Sequence, residues 1–254
     1  MALSRLKQFL KPAPKASASI EAGLRLYVIG DVHGRLDLLD DLSKQIAADL
    51  DDAPADVLTI FVGDYIDRGR ESAGVIDRLN RGEFPTPFHA LRGNHEEILL
   101  KFLEDESVLE SWRKFGGLET LHSYGVDVSE AMRGRGYDAA RKKLLELMPE
   151  THRRFLEGTD LFATHGDYFF VHAGVRPGVP VHLQNADDLL WIREEFLRFR
   201  GQFDKVVVHG HTPVDAPDEQ ANRINVDTGA FATSVLTALV LEGADRRFLQ
   251  TRAP

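Results

Sequence analysis

Acidic and imidazole side chains occur along the chain in short clusters that are flanked by glycine. The clusters are GDVHG (30–34), GDYIDRG (63–69), LRGNHE (91–96), HAGV (172–175) and GHTP (210–213). Their oxygen and nitrogen donors, with no sulfur among them, suit manganese, iron or zinc better than calcium. Glycine beside each potential ligand lets the backbone turn sharply and come close to an ion. The clusters therefore predict a metal centre.

The number of potential ligands indicates more than one ion. Six residues of the clusters could bind metal: Asp31, His33, Asp64, Asn94, His172 and His211. Asp31 and His33 are two residues apart, so both side chains can reach one ion from an extended or turning segment. Six ligands are too many for one ion that keeps an open position. Two ions ~3.5–4 Å apart, bridged by a carboxylate and a water, account for them better.

Each cluster directly follows a segment that is predicted to be a buried strand. Apolar runs of strand length occupy residues 24–29, 57–62, 87–91, 168–171, 205–208, 223–226 and 235–241. In open α/β sheets, ligands bind beyond the carboxyl ends of the strands. A single Asp-x-His or Gly-Asn-His is more often a turn with a surface histidine. Five clusters in this order, each after a strand, favour convergence on one patch.

The other elements place this patch in one α/β domain. Helical spacing of apolar residues covers 36–50, 96–103 and 187–199, and residues from about 104 to 158 form a predicted helical insertion. Residues 23–254 are expected to form a single domain. Residues 1–22 are basic and rich in Pro, Ala, Ser and Lys, which predicts a flexible tail, with a weak surface anchor as the alternative.

Composition excludes several classes of protein. The chain has 254 residues and a mass of 28.4 kDa, enough for a sizeable core. It has no Cys, which excludes disulfide scaffolds, thiolate metal sites and cysteine nucleophiles. The net charge of −9 disfavours a general nucleic-acid partner. No apolar run is long enough for a membrane span or a secretory signal, so a cytoplasmic location is expected; no oligomeric state is predicted.

Taken in order, and with VDTGA (226–230), the clusters resemble those of a known family. The chain resembles the calcineurin-like metallophosphoesterase superfamily from about Leu24 to Leu241. Within it, the chain is similar to the PPP-type serine/threonine protein phosphatases in their compact bacterial or phage form. The resemblance implies a four-layer α/β/β/α sandwich with two mixed sheets. It also implies two divalent metal ions, usually manganese, with iron or zinc as natural alternatives.

The resemblance also implies roles for individual residues. Asp31 and His33 would bind the first ion, and Asp64 would bridge both ions. The second site would be completed by Asn94, His172 and His211, with Asn94 also assigned to the substrate phosphate.

Charged residues outside the set of metal ligands could act on a phosphate ester. His95 follows Asn94, so it lies at the edge of the metal site and could protonate a leaving alkoxide, with Asp67 fixing its tautomer. The planar fork of Arg68 matches phosphate oxygens. The family resemblance suggests a second phosphate-binding arginine at Arg193, with Arg176 as a rival.

These residues predict a phosphomonoesterase that dephosphorylates phosphoproteins. The expected substrates carry phosphoserine or phosphothreonine, with phosphotyrosine left open, and the attacking group would be a hydroxide that bridges the metals. The alternative is a symmetrical diadenosine tetraphosphate hydrolase, a class usually recognised without the aspartate that is Asp67 here. A non-catalytic scaffold is a third reading, disfavoured by the full set of ligands.

Some residues are expected to be structural. His165, Gly166 and Asp167 repeat the look of a ligand turn, but they precede a predicted strand and should lie at its opposite end. Trp112, Phe115 and Tyr124 in the insertion are expected to pack, or else to line a substrate groove.

Overall fold

The computed structural model describes residues 17–251. Residues 1–16 of the predicted tail and residues 252–254 lie outside that range. The predicted tail also includes residues 17–22, of which Ala18 and Ile20 pack against the domain. Ile20 is only 5% exposed, and its N–H donates to the carbonyl of Gly243 at 2.9 Å. The packed chain therefore begins before the predicted boundary at residue 22.

Strands and helices alternate in the first third of the chain, and the last third contains both. The strands are β1 Leu24–Ile29, β2 Asp56–Phe61, β3 Phe88–Ala90, β4 Phe162–His165, β5 Tyr168–Val171, β6 Val206–His209, β7 Asp218–Glu219, β8 Arg223–Asn225, β9 Thr237–Glu242 and β10 Asp245–Gln250. The helices are α1 Leu36–Asp49, α2 Ser72–Asn80, α3 Asn94–Glu104, α4 Leu109–Trp112, α5 Gly117–Ser123, α6 Ser129–Met132, α7 Tyr137–Leu147, α8 Glu150–Glu157, α9 Ala186–Trp191, α10 Glu194–Leu197 and α11 Ala230–Thr233. Between Glu104 and β4, every regular element is helical.

The strands form two mixed sheets of five strands each. The first has the order β10-β9-β1-β2-β3, with β1, β2 and β3 parallel and β9 antiparallel to β1. The second has the order β4-β5-β6-β8-β7, with β5, β6 and β8 parallel and the two edge strands antiparallel. Each sheet therefore contains three neighbouring parallel strands whose carboxyl ends point the same way within that sheet.

Three apolar clusters separate four layers. Alternate residues of β1 show the division: Leu26 and Val28 belong to a core shared with Tyr168 and Phe170 of the second sheet. Tyr27 and Ile29 point away from that core and pack with the helices that cover the first sheet. Phe169 and Val171 of the second sheet pack with Leu189 of α9 and Phe196 of α10 in the third cluster. This α/β/β/α arrangement with two mixed sheets confirms the expected fold class.

Three strands that the sequence did not predict lie at or near the sheet edges. In β10 only three of the residues are partly buried, because one face meets solvent. β4 pairs with β5 through a tight turn at Gly166, whose φ is +52°. β7 has two residues and pairs only with β8. Short or half-exposed strands lack the continuous apolar run that identifies a buried strand.

Within residues 17–251, no helix is both long enough and apolar enough to cross a membrane. The cytoplasmic location stays a prediction.

Candidate metal centre

The carboxyl ends of five parallel strands, three from one sheet and two from the other, meet at one place. Asp31 and His33 follow β1, Asp64 follows β2, Asn94 follows β3, His172 follows β5, and His211 follows β6. The His33 N–H donates to the carbonyl of Asp64 at 2.9 Å, and Nδ1 of His172 lies 3.0 Å from the carbonyl of Val62. The second contact ties the two sheets together at the centre.

Two groups of ligand atoms share Asp64. One group combines Asp64 with His33 and His95, and the other combines it with His172 and His211. Oδ2 of Asp64 lies 3.5 Å from Nε2 of His33, and Oδ1 lies 3.5 Å from Nε2 of His172. The two oxygens of one carboxylate thus face different histidines, which is the arrangement that a bridging ligand requires.

The remaining predicted ligands complete the two groups. Asp31 lies beside the first, with Oδ2 at 4.0 Å from Nε2 of His33. Asn94 lies in the second, with Oδ1 at 2.9 Å from Nε2 of His172. Nδ1 of His211 is 3.1 Å from the same Nε2 atom. All six predicted metal-binding residues are therefore brought together, and all are buried.

The donor chemistry of the site fits cations. Nδ1 of His33 is 2.8 Å from the carbonyl of Ile66, which fixes the proton on Nδ1 and leaves a lone pair on Nε2. Within the described residues, Nε2 of His33 has no hydrogen-bond partner although it is buried. Nδ1 of His172 is likewise bound to a carbonyl, so its Nε2 lone pair faces the Asn94 oxygen, a second acceptor. Acceptors this close repel each other unless a cation lies between them.

Close backbone approach at the site depends on glycine. A Cβ at Gly93 would lie 2.0 Å from Oδ1 of Asp64, and a Cβ at Gly210 would lie 2.1 Å from Oδ1 of Asp31. These contacts support the prediction that glycines beside the ligands permit close packing.

Most of the strained backbone of the molecule also lies at the site. Six non-glycine residues of the described chain have positive φ, and five of them belong to the strand-end clusters: His33, Asp64, Asp67, Arg68 and His211. Left-handed backbone at non-glycine residues is uncommon and concentrates at functional sites.

Comparison with known proteins identifies the family of this chain. Residues 24–235 match the family model described as calcineurin-like phosphoesterase. The chain belongs to the calcineurin-like phosphoesterase family. The metallophosphoesterases of this family use a binuclear metal centre, and the two groups around Asp64 are residues of this chain that could hold one.

Curated relatives within this family carry two different descriptions. An asymmetrical bis(5'-nucleosyl)-tetraphosphatase of Halalkalibacterium halodurans is 32% identical over 84% of this chain and 88% of its own length. Serine/threonine-protein phosphatase 1 of Salmonella typhimurium is 29% identical over 84% of this chain and 89% of its own. A solved cold-active protein tyrosine phosphatase has a TM-score of 0.57 at 17% identity, over 91% of this chain and 81% of that one, and shows the fold alone.

His95 and Asp67 form a buried pair at the edge of the metallophosphoesterase centre. Nδ1 of His95 is 2.6 Å from Oδ2 of Asp67. The helical insertion fixes the carboxylate: Nε1 of Trp112 donates to Oδ2 at 2.6 Å, and the Thr120 hydroxyl donates to Oδ1 at 2.5 Å. Burial lowers the pKa of His95, but the charge of Asp64 and the hydrogen bond to Asp67 outweigh burial and raise it above its usual value.

The four arginines near the motifs differ in their partners. Nη2 of Arg68 lies 3.2 Å from Nε2 of His95, and Arg193 donates to Thr212 Oγ1 at 2.9 Å and to the His211 carbonyl at 3.3 Å. Both guanidinium groups therefore border the centre. Arg176 forms ion pairs with Asp188 and Glu195, and Arg92 donates to Thr159 and the Glu157 carbonyl. These contacts favour Arg193 over Arg176 as a second phosphate-binding residue.

Several contributions to the site were not predicted. Glu96 is fully buried, and its carboxylate accepts the backbone N–H groups of Gly93, Asp64 and Tyr65, each at 2.8 Å. An acid at the third position of a helix is a known capping signal that could have identified it. Trp112 was expected only to pack or to line a groove, whereas it binds Asp67. Phe115 is 49% exposed, so it does not pack in the core.

The turn at residues 165–167 is structural, as expected, and two other histidines outside the centre have polar partners. His152 contacts the Tyr124 hydroxyl at 3.0 Å, and His89 pairs with Asp160 at 2.6 Å. The 165–167 turn joins β4 to β5 at the end of β5 opposite His172. There Asp167 Oδ2 accepts the Ser19 N–H.

Two carboxyl groups at the centre, Asp31 and Asp227, have raised pKa values, whereas burial of Asp64 is outweighed by the neighbouring histidines, which lower its pKa. Burial and the charge of Asp64 raise the pKa of Asp227, which is 3% exposed, to about 6. Burial and the charges of Asp227 and Asp64 raise the pKa of Asp31 well above its usual value. Burial lowers the pKa of His33 to about 3 and that of His211 to about 2, so both rings are neutral and ready to bind metal.

We expect Mn²⁺ binding to weaken as the pH falls through about 6, with proton release on binding near that pH. Asp31 and Asp227 are protonated below their raised pKa values, and the positive charge of a bound cation favours the ionised form of both groups. Calorimetric titration of metal-free protein in two buffers with different ionisation enthalpies measures the released protons. Asp227→Asn should release fewer protons at pH 6. Binding heats that do not depend on the buffer would contradict the raised carboxyl pKa values.

Proposed function

We propose that this chain is a di-metal-dependent phosphomonoesterase that dephosphorylates phosphoproteins on serine or threonine, with tyrosine as a further substrate. The observation that carries the proposal is the His95–Asp67 pair, held at 2.6 Å beside the centre with Arg68 at 3.2 Å from the same imidazole. A proton donor next to a phosphate-binding guanidinium suits the hydrolysis of an ester whose leaving group is poor.

In this proposal Asp64 would contribute to the binding of both ions. Asp31 and His33 would hold the first ion, and Asn94, His172 and His211 would hold the second. The separate contacts of the two Asp64 oxygens support this assignment. When bound, two divalent cations, with manganese the first candidate, supply positive charge for the phosphoryl oxygens and acidify a water for in-line attack.

The protein's own residues bind the phosphoryl group and deliver a proton. Arg68 and Arg193 approach the centre from opposite groups of ligands, Arg68 beside His95 and Arg193 beside His211. Guanidinium N–H groups bind phosphate oxygens in a planar fork. When Arg68 turns its N–H groups to the phosphate, Nε2 of His95 is free to carry the proton that the leaving oxygen receives. Asp67 holds the imidazole in that tautomer and stabilises its charged form.

A second candidate is an asymmetrical dinucleoside tetraphosphatase. The similarity to curated proteins of that description, among them the one from Geobacillus thermodenitrificans at 27% identity, favours it. The alternative that the sequence predicts is a symmetrical hydrolase, and the presence of Asp67 argues only against that class. A nucleotide leaves as a phosphate anion and needs a proton less than a serine alkoxide does. The elaborate support of His95 therefore favours the monoester substrate.

The two functions separate in one panel of substrates. Chelator-treated protein is assayed for phosphate release from phosphoserine, phosphothreonine and phosphotyrosine peptides, and for cleavage of diadenosine tetraphosphate, with and without Mn²⁺. We expect Mn²⁺ to restore release from the peptides while the dinucleotide stays intact. Cleavage of the dinucleotide alone, into nucleotides of unequal length, would replace the proposed function by the second candidate.

A further inference from the structure

Phe231 lies against Arg68, the proposed phosphate-binding residue that contacts His95. We propose that Phe231 is a positioning residue that holds the guanidinium of Arg68 in place over the centre by stacking on it. This inference rests on the proposed function, because it takes Arg68 to bind the phosphoryl group.

The guanidinium of Arg68 has few polar contacts to fix it. Among residues 17–251, its only side-chain hydrogen-bond contact is with Nε2 of His95 at 3.2 Å, and no carboxylate lies within ion-pair distance. Its backbone is fixed, since φ is +67° and the N–H donates to the Gly116 carbonyl at 3.3 Å. The backbone thus fixes the base of the Arg68 side chain, and another group must fix the position of its guanidinium.

The Phe231 ring supplies that contact. The central carbon of the Arg68 guanidinium lies over the ring, 4.6 Å from its centroid. The same ring meets the His33 imidazole in a T-shaped contact, with centroids 5.5 Å apart and planes at 86°. Phe231 is therefore placed between a proposed metal ligand and a proposed phosphate ligand, although it is 38% exposed. Cations are attracted to the faces of aromatic rings at such distances.

The segment that carries Phe231 is held firmly. Nη1 of Arg35 donates to the Ala230 carbonyl at 2.9 Å and to the Ser234 hydroxyl at 3.2 Å. The Thr233 hydroxyl donates to the Thr228 carbonyl at 2.8 Å. The backbone on both sides of Phe231 is thereby fixed, so the ring is a stable surface for the guanidinium.

An aromatic ring is better suited to positioning the Arg68 guanidinium than a carboxylate would be. A carboxylate would occupy the in-plane N–H donors of Arg68 and cancel its charge, and both are needed for a phosphate dianion. A ring contacts only the face of the guanidinium. The N–H donors then remain free in the plane, and the charge is retained.

The test compares Phe231→Leu with Phe231→Tyr and Phe231→Trp. The readouts are KM and kcat for a phosphoserine peptide, and the Kd of inorganic phosphate for Mn²⁺-loaded protein. We expect Phe231→Leu to raise KM and the phosphate Kd about three- to tenfold, with a smaller change in kcat, and we expect the aromatic variants to retain wild-type values. Phe162→Leu, at an aromatic residue with 41% exposure on β4, is the matched control and should change neither constant.

A double mutant tests whether Phe231 acts on phosphate binding through Arg68. In an Arg68→Ala background, Phe231→Leu should add no further loss of phosphate affinity. A shift of the same size in that background would overturn the proposal, as would equal values for the leucine and tyrosine variants. If the wild-type protein cleaves only the dinucleotide, the proposed function fails, while the phosphate Kd comparison still decides the role of Phe231.

Discussion

Asp64→Asn should abolish phosphatase activity, with a loss of ~10³-fold or more, and should lower the bound metal below two ions per chain. Each oxygen of Asp64 faces a different histidine at 3.5 Å, so one charge serves both groups of ligands. Asparagine has the size of aspartate and tolerates the positive φ of 55° at this position. The substitution therefore removes charge without introducing a new steric conflict.

Metal content by elemental analysis and phosphate release by the same sample check this expectation together. The matched control is Asp56→Asn, at the exposed start of β2, the strand that Asp64 follows. The control should keep wild-type activity and metal. An Asp64→Asn protein that is active and fully metallated would refute the bridging role.

His95→Asn should keep the metal and lose turnover, most of all on substrates with poor leaving groups. For a phosphoserine peptide we expect a loss of ~10²–10⁴-fold, and a loss at least about tenfold smaller for p-nitrophenyl phosphate. A p-nitrophenolate ion leaves without protonation, whereas a serine alkoxide must receive a proton. Asp67→Asn should produce the same pattern more weakly, because it leaves the imidazole present but without its carboxylate partner at 2.6 Å.

The comparison needs kcat on both substrates and metal analysis of each variant. His122→Asn, at an exposed residue of α5, is the control for replacing a histidine and should behave as wild type. Equal losses on the two substrates would remove His95 from the role of general acid. Loss of metal from His95→Asn would instead place the imidazole among the ligands, as its distance of 3.7 Å from Oδ2 of Asp64 also allows.

The convergence of the six proposed ligands could be predicted from the sequence because each one lies just after a strand. Asp31 after β1 and His172 after β5 are placed by a local rule, namely that a parallel strand delivers its next residues to the carboxyl edge of its sheet. That rule needs only an apolar run and a polar residue after it. The same continuous runs identified the strands at the centres of both sheets.

The support for Asp67 could not be predicted in this way. Trp112 and Thr120 lie 45 and 53 residues along the chain from Asp67, in helices that carry no motif. Their contacts depend on how the insertion packs, which periodicity does not determine. β10 could not be predicted either, because its alternation of partly buried and exposed residues depends on packing at a sheet edge.

The left-handed backbone at the centre limits which substitutions this chain can accept during evolution. A non-glycine residue in this conformation costs about 1–3 kcal/mol, and the net stability of a domain is only about 5–15 kcal/mol. Replacing Arg68 by glycine would relieve such strain and would remove the guanidinium that is proposed to bind phosphate. Asp67 differs, because its carboxylate accepts hydrogen bonds from buried Trp112 and Thr120, which glycine would leave unpaired. Selection for thermostability alone would therefore act against the proposed activity at Arg68. A family member that stays active must find its stabilising substitutions elsewhere in the four layers.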